Sequence, residues 1–360
     1  NFLGGAKKIP ELTGDQLKEI TDAMTDINKM ADGTDKARAL QKLGEKIQSY
    51  IPSTLYQKVI NVWKAGLLTG LKTTGVNVAS NLSHSISEIA KDVPASAVDS
   101  IVSLFTGKRT LALTGKGTGK GAAEGVAKGW DYLKTGFDER NIADKLDYKK
   151  VNFGKGPVAK ALKGYTDTVF GLLGAEDQPF YYAAKMRSLA NQASAMAKNE
   201  GLSGKAARDF AQKLIENPTD EMARYSTLDA ETAVFQQDSW LARKAQNLQK
   251  GLEIVLPFAK TPANVANAMI NYSPVGIVKT IIENIGKGRF DQRLFAQGMG
   301  RGITGTAALA IGSALMANKM MNLQTPSSEK EREQWELEGR IPNSIKIGDK
   351  WRNIGVLGPL

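Results

Sequence analysis

The chain holds 360 residues, 42% hydrophobic and 24% charged, enough for two or three compact units with real cores and without a low-complexity tract. It has no cysteine and a single histidine, which excludes disulfide scaffolds, Cys-based zinc sites, thiol nucleophiles and any site that needs two imidazoles. The formal charge is +11, and Lys108 to Lys163 alone carries thirteen Lys or Arg against six Asp or Glu; this suits an anionic partner, either nucleic acid or lipid headgroups, beside the plain alternative of a solvated basic surface.

Apolar residues recur at helical spacing almost from the start. Leu17, Ile20, Met24, Ile27 and Met30 stop at Gly33, and Leu40, Leu43, Ile47 and Ile51 follow before Pro52. Further amphipathic helices read from Ser53 to Leu68, Thr74 to Ala90, Ala95 to Phe105 and Pro157 to Leu173. Others run from Asp177, with Pro179 in the first turn, to Gly201, then from Ser203 to Glu216 and from Asp238 to Lys250. In "LPFAKTPANVANAMINYSPVG" Thr261 is a good cap and Pro262 a good first-turn residue, and a second helix restarts after Pro274. Alternation appears only in "SIKIGDKWRNIGV", two short extended runs around Gly348 and Asp349, a two-residue hairpin signal. The expected fold is all-α, an elongated multi-helix assembly with a small C-terminal β-hairpin. Its expected parts are an N-terminal helical segment (1–52), a main helical domain (53–325) and a short helix plus hairpin (326–360). Starting at Asn1 without a basic-then-apolar leader, and stopping at "VLGPL", the chain reads as a segment of a longer or processed polypeptide.

"LALTGKGTGKGAAEG", Leu111 to Gly125, has the look of a phosphate-binding loop. A Walker A loop needs Gly, four residues, then Gly-Lys and Ser or Thr. Counted from Gly119-Lys120, the first position is Thr114 and the last Gly121, so both ends fail. The dinucleotide pattern matches only loosely, at Gly117, Gly119 and Ala122, and lacks its strand-helix-strand setting. A different order is present: Gly117, Gly121, Gly125 and Gly129 fall every four residues and make one stripe without side chains on a helix. Each interior glycine costs roughly 1 kcal/mol against alanine. The stripe is therefore expected to pack against another helix, or to stay irregular until a partner supplies the packing; the alternative is a flexible basic loop to about Gly121 with helix only afterwards.

"RGITGTAALAIGSALMANKMM" is the most apolar stretch. Ile303 to Ala317 holds fifteen residues without a charge, about 22 Å as a helix against a hydrocarbon core of about 30 Å. Gly298 and Gly302 form a GxxxG step. Such a segment is either a core helix or one that enters a bilayer through Ile303, Ala307, Ala308, Leu309, Ala310, Ile311 and Leu315. For the basic region, Lys116, Lys120, Lys128, Lys149, Lys150 and Lys155 are the candidate contacts to DNA or another anion.

Chemistry finds little support. His84 has Ser80 and Ser87 one turn away, but no Gly-x-Ser-x-Gly elbow is present. Carboxylate pairs such as Asp138-Glu139 sit among lysines and read as helix ends or solvated faces. No catalytic residue, metal site or cofactor is expected.

Three segments in order resemble large multidomain bacteriophage proteins, the polyvalent and internal virion proteins. "VWKAGLLTGLKTTGVNVASNLSH" is similar to their Leu-rich helix running into a Thr-then-Asn stretch, and "LPFAKTPANVANAMINYSPVG" to their Pro-Phe, Thr-Pro and Ser-Pro segment. "GITGTAALAIGSALMANKMM" followed by "PNSIKIGDKWRNIG" is similar to their small-residue helix and hairpin, so the likeness runs from about Val62 to Ile354. The resemblance implies a non-enzymatic protein packaged inside the capsid and ejected with the genome, helping to form a conduit for DNA across the host envelope. It would act with other copies of itself, other internal virion or portal proteins, genomic DNA bound without sequence preference, and the host membrane. A related implication is a module that accompanies or protects DNA without forming a channel.

Overall fold

The computed structural model describes residues 12–138, 151–249, 252–286, 288 and 290–354. Local capping chemistry starts the first helices. Helix α1 (Gly14–Lys29) opens on a capping box in which Thr13 Oγ1 accepts from the Gln16 N–H while Gln16 Oε1 accepts from the Thr13 N–H; Thr54 and Gln57 repeat it at α3 (Leu55–Leu68). Between them, α2 (Thr34–Tyr50) begins after Gly33. Helices α4 (Leu71–Ala90) and α5 (Asp92–Thr106) are parted only by Lys91, whose backbone stays helical at φ −62°, ψ −24°, so the two make nearly one rod. Gly107 closes it in the left-handed region, φ 77°, its N–H bonded to the Ser103 carbonyl.

After α6 (Thr118–Thr135), the structure departs from the sequence reading. No break falls near Gly174: α7 runs unbroken over Pro157–Asn199 with Pro179 inside it. A mid-helix proline forfeits a backbone hydrogen bond, and the turn before it is tied to neighbouring segments through the Asp177 carboxylate. Asp177 accepts from Asn81 Nδ2 and Gln236 Nε2, each at 2.7 Å. Then come α8 (Gly204–Glu216), α9 (Asp220–Ala233), α10 (Trp240–Gln249), α11 (Lys260–Asn271) and α12 (Pro274–Ile281), the last continuing as one π turn through Gly286. Thr261 lies inside α11 and not at its cap, because Lys260 is already helical. Helix α9 was not expected; its buried side mixes Met222, Ser226, Asp229, Thr232 and Ala233, so it carries no apolar stripe. Helix α13 (Gln292–Ala317) leads to β1 (Met321–Asn322), α14 (Glu329–Leu337), β2 (Ser344–Ile347) and β3 (Lys350–Asn353). The hairpin turns at Gly348 and Asp349 as expected, and β1 adds a third antiparallel strand, Met321 opposite Ile345. The fold is thus all-α with a small C-terminal sheet.

The chain divides into two compact units. One takes Asn1–Leu71, Ala127–Glu176 and Lys244–Lys260; its apolar centre is Ala65, Val169 and Phe170, ringed by Leu68, Tyr132, Leu173 and Phe258. The other takes Lys72–Val126, Asp177–Arg243 and Thr261–Leu360. It has two small apolar clusters, one around Tyr181, Tyr182, Ala230 and Ala233, the other around Leu189, Ala193 and Met222. In this second unit α13 packs against both α5 and α12.

Candidate functional site

The glycine stripe is a packing surface. Methyl groups added at Gly117, Gly121 and Gly125 would come within 3.0 Å of the carbonyl oxygens of Met186, Tyr182 and Gln178, three successive turns of α7. Gly121 and Gly125 lie on α6, whereas Gly117 falls just ahead of it in the left-handed region at φ 92° and not on the helix as expected; all three bring backbone against backbone on α7. Helix α6 begins at Thr118, ahead of Gly121, and Gly129 further along it is buried as well. The preceding loop is equally committed. Leu111 and Ala112 are fully buried, the Ala112 N–H donates to the Asn191 carbonyl at 3.1 Å, and Thr114 Oγ1 donates to Asn191 Oδ1 at 3.2 Å.

The second glycine set works the same way on α13. Gly298 faces Thr280 and Gly302 faces Ile277, both on α12, while Gly305 lies against the Tyr272 backbone. Gly300, which sequence reasoning passed over, faces the other way, onto Ala95 and the Lys91 carbonyl. Glycines on two sides let α13 sit wedged between α5 and α12.

What this wedge encloses is charge. Glu88 is fully buried and accepts from Arg301 Nε at 2.7 Å, Arg301 Nη2 at 3.0 Å and the Tyr272 hydroxyl at 3.0 Å. Lys91, 1% exposed, bonds Asp92 Oδ1 at 2.8 Å and also Gln297. Arg187 and Asn191 of α7 donate to Asp92 Oδ2, both at 3.0 Å. Arg293 Nη2 donates to Asp229 Oδ2 and to Ser188 Oγ, both at 2.9 Å. Asp99, also fully buried, takes Arg109 Nε at 2.9 Å, the Thr110 and Leu111 N–H groups and Gln292 Nε2. Burial pushes the Glu88 carboxyl up, but Arg301 and Lys91 outweigh it and hold that carboxyl well below its ordinary value of 4.5.

The apolar faces of the same helices point outward. On α5, Asp92 and Asp99 face in while Val93, Ile101, Leu104 and Phe105 face out, the last two 81% and 86% exposed. On α12 Val275 and Val278 are exposed, and so are Ile282 and Ile285 in the π turn that continues it. Around α5, α12 and α13 the second unit is therefore inverted, with ion pairs inside and aliphatic rows outside, while its apolar clusters gather on α7 and α9.

Helix α13 carries this furthest. Its buried positions end at Gly305. Ile303, Ala307, Ala308, Leu309, Ala310 and Ile311 are exposed, Leu315 is half-buried, and no charge interrupts the run to Ala317. Helices α12 and α5 cover the glycine-bearing first half, and among the described residues nothing of comparable size covers the second, so this stretch is not packed as a core helix within the described residues. Among the described residues, no helix is long and apolar enough to cross a membrane.

Of the basic candidates, Lys116 and Lys120 are exposed beside the start of α6, Lys128 is half-buried and Lys155 is exposed; Lys149 and Lys150 lie outside the described residues. The first two belong to the second unit and Lys128 and Lys155 to the first. Among the described residues no group of three or more His, Asp or Glu is arranged to hold a metal ion. Asp138 is buried, and Glu139 lies outside the described residues.

His84 is a core residue. It stacks on Phe235 with ring centroids 4.3 Å apart, meets Tyr272 edge-on, and its Nε2 lies 3.1 Å from the Thr232 carbonyl. Burial lowers its pKa from the usual 6.5, with Glu88 opposing and Arg301 and Lys91 reinforcing. The unfolded chain therefore takes up the proton first as pH falls, so this residue's contribution is complete above pH 6.5 and drains below it. Denaturant titrations between pH 5 and pH 7 should show wild-type stability rising up to about 6.5, and His84→Phe should flatten that limb. An unchanged slope in the variant would remove His84 as its source.

Comparison with models of known protein families, with curated proteins and with solved structures finds no match to this chain.

Proposed function

We propose that this chain is a structural, non-enzymatic component of a bacteriophage particle, packaged inside the capsid and ejected with the genome, where it helps form a conduit for DNA across the host envelope. The observation that carries the proposal is the uncovered apolar second half of α13, beside helices that keep their ion pairs inside and their aliphatic rows outside. Such a surface lowers its free energy by entering the headgroup and acyl boundary of a bilayer, and a net charge of +11 draws it toward anionic lipid and DNA alike. The resemblance in segment order supplies the viral setting. A second reading, a module that accompanies DNA without opening a membrane, is favoured by Lys116 and Lys120, both exposed ahead of and within the first turn of α6.

Leakage of dye from anionic vesicles separates the two, and Ala310→Asp sharpens the test. Ala310 is exposed, so the carboxylate stays hydrated in the folded chain and melting should be unchanged. A charge at that point should oppose insertion by about 3 kcal/mol. The expected result is leakage with the wild-type chain and its loss in the variant. No leakage from the wild type, or equal leakage from both, would leave the conduit reading without support.

A further inference from the structure

The segment that follows α13 is held against its local preference. From Asn318 to Gln324 the sequence is "NKMMNLQ", which has no β-branched or aromatic residue and is rich in Lys, Met, Leu and Gln, all good helix formers. Yet α13 stops at Ala317, and Met321 and Asn322 form a strand of two residues. Pro326 is the first proline after Ile303, so nothing in the covalent chain ends the helix before Thr325. What ends it is one backbone rotation. Lys319 sits in the left-handed region at φ 56°, a conformation that a Cβ opposes and that glycine usually supplies at this point of a helix. The Met320 N–H then turns back to the Leu315 carbonyl at 2.8 Å, and the Lys319 N–H to that of Met316 at 3.0 Å. The C-terminal sheet secures the reversal. The Lys346 N–H donates to the Met320 carbonyl at 2.7 Å, while buried Asn322 accepts from Arg340 Nη2 and donates to the Ile341 carbonyl, both at 3.2 Å.

The length that this rotation withholds is the length a bilayer needs. Ile303 to Ala317 makes about 22 Å of helix, whereas Ile303 to Leu323 would make about 31 Å against a hydrocarbon core of about 30 Å. The one charge in that longer span is Lys319, four residues from its end, where a long side chain reaches the headgroups. We propose that Lys319 is a hinge: in water the C-terminal sheet holds it left-handed and keeps α13 short, and at a bilayer its φ changes sign, β1 leaves β2, and α13 runs on through Leu323. The backbone groups of Met320 to Leu323 are then paired inside the helix, which hydrocarbon demands and water does not. This rests on the membrane reading of α13 given above and adds what keeps the segment short until a bilayer is met.

Because the chain has no cysteine of its own, a disulfide can hold the strand in place. Met321 and Ile345 stand opposite each other across β1 and β2, and Met321→Cys with Ile345→Cys ties the two strands until the bond is reduced. Dye leakage from anionic vesicles is then measured with the full chain in both states. The expected result is leakage close to wild type when reduced and its loss when oxidised. Lys319→Ala and Lys319→Gly make a second test, since both remove the charge, but alanine favours the helix and glycine the left-handed turn. The alanine variant should release dye at least about tenfold faster than the glycine variant. Gly121→Ala, which strains the fold against α7, should not speed leakage, and this separates the hinge from general loosening. Equal leakage from the oxidised and reduced pair, or from the alanine and glycine variants, would overturn the hinge while leaving entry of α13 in place. Absence of leakage from the wild type and from Lys319→Ala alike would remove the membrane reading itself, and the hinge with it.

Discussion

Glu88→Ala should lower the unfolding free energy by about 3–5 kcal/mol, the range for breaking one side of a buried ion pair. Arg301 would lose the acceptor of two hydrogen bonds, the Tyr272 hydroxyl would lose its bond, and Lys91 would keep only Asp92 among its carboxylates. Most of the cost is the cation left behind, so removing that cation as well should recover stability. A Glu88→Leu, Arg301→Met double variant should sit much closer to wild type than either single change, a coupling that urea titrations of all four proteins would measure. If the double variant is as unstable as the sum of the singles, the ion pair is not what the region depends on. Acid gives a second view. Because Arg301 and Lys91 hold the Glu88 carboxyl below 4.5 against the upward push of burial, its contribution is complete above that pH and drains as pH falls below it. Glu88→Gln should flatten this limb and, because it removes the charge that opposes burial at His84, carry the His84 limb to lower pH.

The periodicity of α4 and α5 is plain in the sequence, and so are their two faces. Which face turns inward is not. Val93, Ile101 and Leu104 recur at helical spacing as core residues do, and Asp92 and Asp99, seven apart, look like the solvent side of an amphipathic helix. The inversion is set by residues far along the chain: Arg187 on α7 and Arg293 and Arg301 on α13, with Asp229 on α9 completing the cluster. No local window contains both halves of those pairs. A weak signal was available in the arginines of α13, which sit in the same helix as Gly298, Gly300 and Gly302, since a helix shaped for close contact carries its charges into that contact. The uninterrupted α7 was illegible for a related reason: one helix read as ending at Leu173 and another as starting at Asp177 with Pro179 in its first turn, and the side chains that bond Asp177 there come from Asn81 and Gln236. The glycine stripe and the hairpin, by contrast, are local. Four-residue spacing has few physical meanings once the Walker ends fail, and Gly348-Asp349 between two extended runs has fewer.

Gly121→Val and Gly119→Ala, two residues apart, should have opposite outcomes. At Gly121 any Cβ falls within 3.0 Å of the Tyr182 carbonyl and of Met186 Cβ. The first neighbour is the backbone of α7 and cannot rotate aside, so α6 must lift away or both helices must bend. The cost should reach about 3 kcal/mol, the upper end for overpacking. Gly121→Ala should already show much of it, because the clash is with Cβ itself. At Gly119 no atom lies within 4 Å of the added group and the backbone is helical, so alanine replaces the most flexible residue at no steric cost. The expected effect there is neutral to stabilising, by up to about 1 kcal/mol. Thermal melts of the three variants distinguish contact from flexibility. If the region were a basic loop, all three substitutions would be tolerated alike. If the stripe meets α7 as described, only the changes at Gly121 destabilise, and the double variant Gly119→Ala, Gly121→Ala lies between the two singles, because the gain at one position and the clash at the other arise from different atoms.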